Sequence, residues 1–284
     1  GVCPTPLLYF SLHHLDPDGG IMITGSHNPG EYNGFKIAVG KSTIYGEQIQ
    51  EIRQVAEAGD FVCGVGEMEE VRLEEEYRNY VSGLFGKLSN HPRVVVDAGN
   101  GMASKLAPQV YKDLGCQVAE LYCTMDGTFP NHHPDPTVEK NLQDLILRVG
   151  QEEADVGIAF DGDADRISVV DERGRIIWGD QLMILYSREI LRENPGSTII
   201  GEVKCSKTLY DDIDANGGRG IMWRTGHSLI KAKMKEENAA LAGEMSGHMF
   251  FADRYFGYDD AIYAGARLLE IFSRKGRKVS ELLA

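Results

Sequence analysis

Short apolar runs alternate with amphipathic stretches along this chain, and the runs keep ending in loops rich in Gly, Ser, Asn, Asp and His. Runs at residues 21–23, 37–39, 93–97, 117–122, 154–160, 167–170, 198–203, 221–223 and 249–251 are too short for helices and read as strands. Between them, Ile49, Ile52, Val55 and Ala56 recur at helical spacing, which predicts an amphipathic helix over 46–58 stopped by Gly59. Leu142, Leu145, Ile146 and Val149 predict another over 137–149, with Thr137 as its N-cap. Further helices are expected over 73–85, 104–114, 180–193, 208–215 and 229–238, then a long one reaching 274, with 279–284 opening a last one. Strand 93–97, a Gly-rich turn, helix 104–114 and strand 117–122 form a βαβ unit. Asn33-Gly34 between apolar runs predicts a hairpin. The chain is therefore of the α/β class, and ligands in such folds bind at strand ends, where the polar residues cluster.

Size and charge narrow the function. A chain of 284 residues suffices for two or three domains, and 42% apolar with 25% charged residues is a globular composition. The net charge of −14 argues against a nucleic-acid partner, although a small phosphorylated substrate remains possible if basic residues gather locally. Five Cys without a C-x-x-C pair fit a reduced, cytoplasmic setting. No run approaches the ~20 apolar residues of a membrane span, and no signal-peptide pattern opens the chain, so no membrane partner is expected. A start on Gly1 and an end inside an unfinished helix read as a sequence cut at both ends.

Three polar loops carry the candidate chemistry. Thr24-Gly25-Ser26-His27-Asn28-Pro29 follows a strand and places the Ser26 hydroxyl at a sheet edge, where free backbone N–H groups bind anions. A tight turn capped by its own Ser and Asn is the plainer reading of that stretch alone. Lys36, on the next strand, would stand beside it. In Asp161-Gly162-Asp163-Ala164-Asp165-Arg166, three acids at alternate positions of an extended segment would share one side, and their repulsion calls for a cation. Oxygen ligands favour Mg²⁺ or Ca²⁺. An EF-hand would use Asp161, Asp163, Asp165 and Glu172, but Arg166 sits where that loop needs Gly and the flanks are strands. Open positions beside three carboxylates suit Mg²⁺ with a phosphate oxygen. The third loop is Gly243-Glu244-Met245-Ser246-Gly247-His248. Weaker readings are a dinucleotide site at Gly99 to Glu120, whose fingerprint has Ser104 in place of its third Gly, and a serine hydrolase using Ser26 and His27, which lacks the G-x-S-x-G elbow.

Together, in this order and at this spacing, the three loops resemble the α-D-phosphohexomutase superfamily, most closely its phosphomannomutase/phosphoglucomutase branch. The resemblance runs along the whole chain. It implies consecutive α/β domains with mixed sheets sandwiched by helices: residues 1–72 as a partial first domain with the phosphoserine loop, 73–175 as a second with the metal loop, and 176–284 as a third with the sugar loop. By the same resemblance, the first part of domain one and all of domain four would be missing from this sequence.

The resemblance implies that Ser26 carries a phosphoryl group and exchanges it with a hexose 1- or 6-phosphate through a 1,6-bisphosphate. Glucose 1,6-bisphosphate or its mannose equivalent would then act as activator. Mg²⁺ would sit on Asp161, Asp163, Asp165 and a Ser26 phosphate oxygen, with His27, Lys36 and Arg166 adding positive charge or hydrogen bonds. Glu244 and Ser246 would contact adjacent sugar hydroxyls, leaving carbon 2 unread, so that glucose and mannose both fit. Lys204, His227 and His248 would contact sugar or phosphate, and His248 or Lys36 would take the proton of the attacking hydroxyl. The expected partner is a small phosphosugar, bound by a monomer or weak dimer. The alternative is a truncated, non-catalytic metal- or sugar-phosphate-binding fragment.

Overall fold

A computed structural model describes residues 1–29, 31–59 and 61–283. The apolar runs assemble into three sheets. The first is antiparallel, in the order β1 (Gly19–Ile23), β2 (Phe35–Val39), β3 (Ser42–Thr43). In the second, β4 (Arg93–Asp97) runs parallel to both β5 (Gln117–Leu121) and β6 (Val156–Phe160). The antiparallel strands β7 (Ile167–Asp171) and β8 (Ile176–Ile177) then complete the order β5-β4-β6-β7-β8. In the third, β9 (Thr198–Glu202) runs parallel to β10 (Arg219–Trp223) and β11 (Leu241–Gly243), and β12 (Met249–Phe251) is antiparallel, giving β10-β9-β11-β12. The last two are the mixed sheets expected of this α/β chain. Strands β6 and β7 are buried at every residue, which is why their sequences run apolar without alternation.

The helices show what the residue pattern conceals. α1 (Thr5–His14) has no counterpart among the expected elements, because its buried Thr5, Pro6, Leu7, Tyr9, Phe10 and Leu12 leave no polar face to create a period. α2 (Glu47–Ala58) forms where expected, with Gly59 in a left-handed C-cap at φ +66°, yet the face expected to be buried is not. Ile49, Ile52 and Val55 are 37%, 44% and 52% exposed.

The β1–β2 hairpin also forms, but Asn33-Gly34 is not its turn. Its connection runs from residue 24 to 34, and the Gly34 carbonyl accepts the Thr24 N–H at 3.0 Å, so the dipeptide closes a wide loop instead. After α3 (Glu74–Phe85), the helix expected at 104–114 divides into a 3₁₀ turn, Met102–Lys105, and α4 (Ala107–Asp113). Thr137 does not cap a helix. Its N–H and hydroxyl both donate to Asp135 Oδ1, at 3.0 and 2.7 Å, and a 3₁₀ turn, Glu139–Leu142, separates it from α5 (Gln143–Gln151). α6 (Gly179–Glu193), α7 (Lys207–Ala215), α8 (His227–Glu237), α9 (Ala261–Lys275) and α10 (Val279–Leu282) lie within a few residues of their expected spans; Ala284, the end of the last one, lies outside the described residues. Among the described residues no helix is long and apolar enough to cross a membrane.

The hairpin between β6 and β7 is where the three sheets meet. Asp163 C=O accepts the Thr5 N–H at the start of α1 (2.9 Å), Ala164 C=O accepts the Ala261 N–H at the start of α9 (3.3 Å), and the Ile167 N–H donates to Gly247 C=O (3.1 Å). The apolar α9, buried along most of its length, packs between α4 and β7 on one side and α6 and β12 on the other.

Candidate active site

Residues Asp161 to Arg166 form the β6–β7 hairpin loop. The three carboxylates do converge, but not by alternation along an extended segment. The loop is a turn, closed by Ala164 N–H to Asp161 C=O at 3.2 Å with Ala164 at φ +65°, and its curvature brings the acids together. One oxygen from each lies within 4.8 Å of the others, and all three residues are buried. Asp161 Oδ1 accepts the N–H groups of Asp165 (3.1 Å) and Arg166 (3.2 Å), which turns Oδ2 towards the neighbouring loop. There it accepts the Ser26 hydroxyl at 2.7 Å.

Asp163 Oδ2 accepts three donors: Thr5 Oγ1 at 2.7 Å, Thr24 Oγ1 at 3.0 Å and Lys36 Nζ at 2.8 Å. Lys36 also bonds Asp165 Oδ2. Asp163 Oδ1 and Asp165 Oδ1 are buried with no hydrogen-bond partner among the described residues. Unsatisfied buried carboxylate oxygens are costly. With Asp161 Oδ2 they make an all-oxygen donor set that fits a hard divalent cation of the Mg²⁺ type.

The charges follow from this packing. Burial, with Asp165 and Asp163 beside it, pushes the Asp161 carboxyl well above its ordinary range. Burial acts the same way on Asp163, but Lys36 and the two Thr hydroxyls overcome it and hold Asp163 ionised. Lys36 is buried too, yet Asp165 and Asp163 raise it well above the usual lysine value, so it stays an ammonium.

The Ser26 loop is set on this hairpin by close backbone contact. Ser26 is in the left-handed region at φ +50°, its N–H donating to Thr24 Oγ1 at 2.9 Å. A Cβ on Gly162 would stand well inside the contact distance of the Ser26 carbonyl oxygen, so only glycine permits the approach. His27 Nδ1 lies 3.0 Å from Ser26 Oγ; burial and then Arg166 lower its pKa, keeping the ring neutral.

The third loop joins β11 to β12. Gly247, at φ +91°, abuts the Ile167 carbonyl of the hairpin where a Cβ would not fit. Glu244 Oε1 accepts the Gly226 N–H at 2.8 Å and its Oε2 accepts the Ser246 hydroxyl at 3.0 Å, so the two side chains sit side by side. Lys204 is 57% exposed on the rim, its Nζ 3.4 Å from Oε1 of the buried Glu202, and the same Oε1 accepts the Met245 N–H at 2.8 Å. The rings of His227 and His248 stack with centroids 5.7 Å apart. Burial, only partly offset by Asp259, pulls His227 down to about 4, so it is neutral near pH 7. His248 goes the other way: burial opposes its charge, and the carboxylates of Asp165 and Asp259 outweigh burial and raise it.

Ser26, His27, Lys36, Asp161, Asp163, Asp165, Arg166 and His248 thus form one linked cluster. Glu244, Ser246, His227 and Lys204 line the adjoining β11–β12 side. Other candidate residues stand apart: Glu172 holds the Ser280 N–H at 3.3 Å, and Glu120 pairs with Lys112 on the surface at 2.6 Å. The sequence does not single out Thr5, Glu202, Lys231 and Asp259, and it gives Thr24 a place in the Ser26 loop but no role. Only the Asp259-Asp260 pair ahead of a long helix offered a signal.

Comparisons place this geometry among known proteins. Three models described as phosphoglucomutase/phosphomannomutase alpha/beta/alpha domains I, II and III match residues 1–62, 75–174 and 178–284. A phosphomannomutase/phosphoglucomutase from Pseudomonas aeruginosa is 51% identical over 277 residues, covering 98% of this chain and 60% of that protein. A phosphoglucomutase from Neisseria meningitidis is 48% identical over 275 residues, covering 96% and 60%. The crystal structure of a phosphoglucomutase/phosphomannomutase family protein from Burkholderia thailandensis superposes with a TM-score of 0.94 at 45% identity, over 99% of this chain and 63% of that one. The chain spans about 60% of the length of the curated relatives it matches. With three consecutive domain matches covering most of its length and the same α/β architecture, the chain belongs to the phosphoglucomutase/phosphomannomutase family.

Proposed function

We propose that this chain carries the phosphoserine, metal and sugar loops of a mutase that interconverts hexose 1-phosphate and hexose 6-phosphate, of glucose or mannose, through a 1,6-bisphosphate. The observation that carries the reading is the Ser26 hydroxyl, 2.7 Å from Asp161 Oδ2, at the edge of three buried carboxylates that keep two oxygens unpartnered among the described residues. The names of the relatives support the substrate class. The matched segments support three units with boundaries near residues 72 and 175.

Phosphoryl transfer asks the protein mainly to position the groups and to neutralise charge. Asp161, Asp163 and Asp165, with an oxygen of phosphorylated Ser26, would hold Mg²⁺, which when bound draws charge from the phosphoryl group. Arg166, whose Nε is 4.0 Å from Asp161 Oδ2, stands within reach of that phosphoryl group as a donor. Glu244 and Ser246 would orient two adjacent hydroxyls of the hexose, and Lys204 and His227 would take its phosphate. As the sugar hydroxyl attacks phosphorus, the Ser26 Oγ–P bond breaks and the hydroxyl proton leaves. His248 Nε2 is the better acceptor, because Lys36 is held protonated by two carboxylates and serves as fixed charge.

Incubation with glucose 1,6-bisphosphate and Mg²⁺ is expected to add one phosphate, located on Ser26 by intact-mass and peptide mapping and missing from Ser26→Ala. A phosphate that is absent, or that lands on another residue, ends the catalytic reading.

A further inference from the structure

Asp259 belongs to none of the three loops, yet it lies fully buried against them. Its Oδ1 accepts Lys231 Nζ at 3.0 Å, and Lys231 is itself held by the Tyr9 hydroxyl at 3.1 Å and lies 4.3 Å from the centre of the Tyr9 ring. Its Oδ2 and His248 Nδ1 lie 3.2 Å apart, yet each is buried without a hydrogen-bond partner among the described residues; Oδ2 is also 3.9 Å from His227 Nδ1. Asp165 Oδ1 is 3.7 Å from the same His248 nitrogen.

Asp165, His248 and Asp259 have the grouping of a cation site. The other ring nitrogen decides otherwise. His248 Nε2 lies 3.0 Å from Arg166 Nε, and a guanidinium has donors only, so Nε2 accepts and keeps its lone pair. In the neutral ring the proton is then on Nδ1, which cannot also ligate a metal, and the nearer of the two carboxylates to that nitrogen is Asp259, at 3.2 Å. The Lys231 ammonium already engages Asp259 Oδ1, which leaves Oδ2 to the ring, while Asp165 Oδ1 stays with the cation set of the hairpin loop.

We propose that Asp259 is the positioning residue of His248, holding the Nδ1 proton so that Nε2 keeps the lone pair that receives the proton of the attacking hexose hydroxyl. Lys231, anchored by Tyr9, fixes Asp259 in turn. This rests on the reading of His248 as proton acceptor given above. Arg166 caps Nε2 in the resting arrangement, and a phosphoryl group on Ser26 offers the guanidinium a stronger acceptor, which frees the lone pair when it is needed.

Two readouts test this. Nitrogen-15 imidazole spectra, with the His248 signals assigned by their loss in His248→Gln, should show Nδ1 protonated in the natural protein and a mixed or reversed tautomer in Asp259→Asn. Single-turnover transfer from phosphorylated Ser26 to glucose 1-phosphate should slow about 100-fold or more in Asp259→Asn at an unchanged half-saturating concentration, with partial recovery in Asp259→Glu. Should Asp259→Asn fail to fold because Lys231 is left unpaired, the pair Lys231→Gln with Asp259→Asn removes the stranded charge and is read in the same two ways. An unchanged tautomer, or transfer within threefold of the natural protein, overturns the proposal. If the natural protein accepts no phosphate, the proposed function falls, while the tautomer measurement still decides the Asp259–His248 pairing.

Discussion

Gly162→Ala is expected to slow phosphorylation of Ser26 about 100-fold while leaving the three sheets intact. The added methyl would meet the Ser26 carbonyl oxygen head-on, and the obstructing atom is backbone, not a side-chain tip that can swing away. The opposite side offers no relief, because the Gly162 carbonyl packs where a Gly101 Cβ would stand and accepts the Met102 N–H at 2.9 Å. Ser26 must therefore retreat from Asp161, and a displacement of about 1 Å at a reacting atom costs on the order of 100-fold in rate. The overpacking itself should cost about 1–3 kcal/mol of stability. Gly150→Ala is the control, since a Cβ there meets nothing within 4 Å and lies in α5, where alanine should stabilise slightly. Phosphate incorporation against time, followed by intact mass for the three proteins, reads the effect. Equal rates for Gly162→Ala and the natural protein would show that the contact does not place Ser26.

That glycine illustrates which parts of the fold and site the sequence displayed. The loop residues themselves were legible, because Ser, Asp, His and Gly stand out against apolar strands, and β6 and β7 were visible as apolar runs. What was hidden depends on pairs far apart in the chain. Thr5 reaches Asp163 across 158 positions, and Tyr77 reaches Asp260 across 183. α1 gives no period because its buried positions, Thr5, Pro6, Leu7, Tyr9, Phe10 and Leu12, spread around most of the helix, and α2 gives a clear period although its apolar face is exposed. Alternation along a strand would bring the three acids to one side, whereas a turn with one left-handed residue gathers them. A sequence shows which groups are capable of chemistry more readily than it shows the backbone that aims them.

Lys36 supplies the second large effect. In the absence of divalent cation its ammonium is the charge that contacts both Asp163 and Asp165, deep in the hairpin loop. Lys36→Met keeps the length and removes the charge, leaving three buried carboxylates to repel one another. Breaking a buried pair in this way costs about 3–5 kcal/mol, which for a chain of this size lowers the melting temperature by on the order of 10 °C. The loss should be largest in EDTA and largely reversed by millimolar Mg²⁺, because the cation enters the same carboxylate set and stabilises the folded state by mass action. The natural protein, whose cluster is already part-neutralised, should gain less from the same addition. Thermal unfolding of both proteins with EDTA and with Mg²⁺ gives the four melting temperatures needed. A Mg²⁺-induced rise no greater in Lys36→Met than in the natural protein would mean that the ammonium and the cation do not answer the same charges, and the carboxylate loop would then not be the cation site.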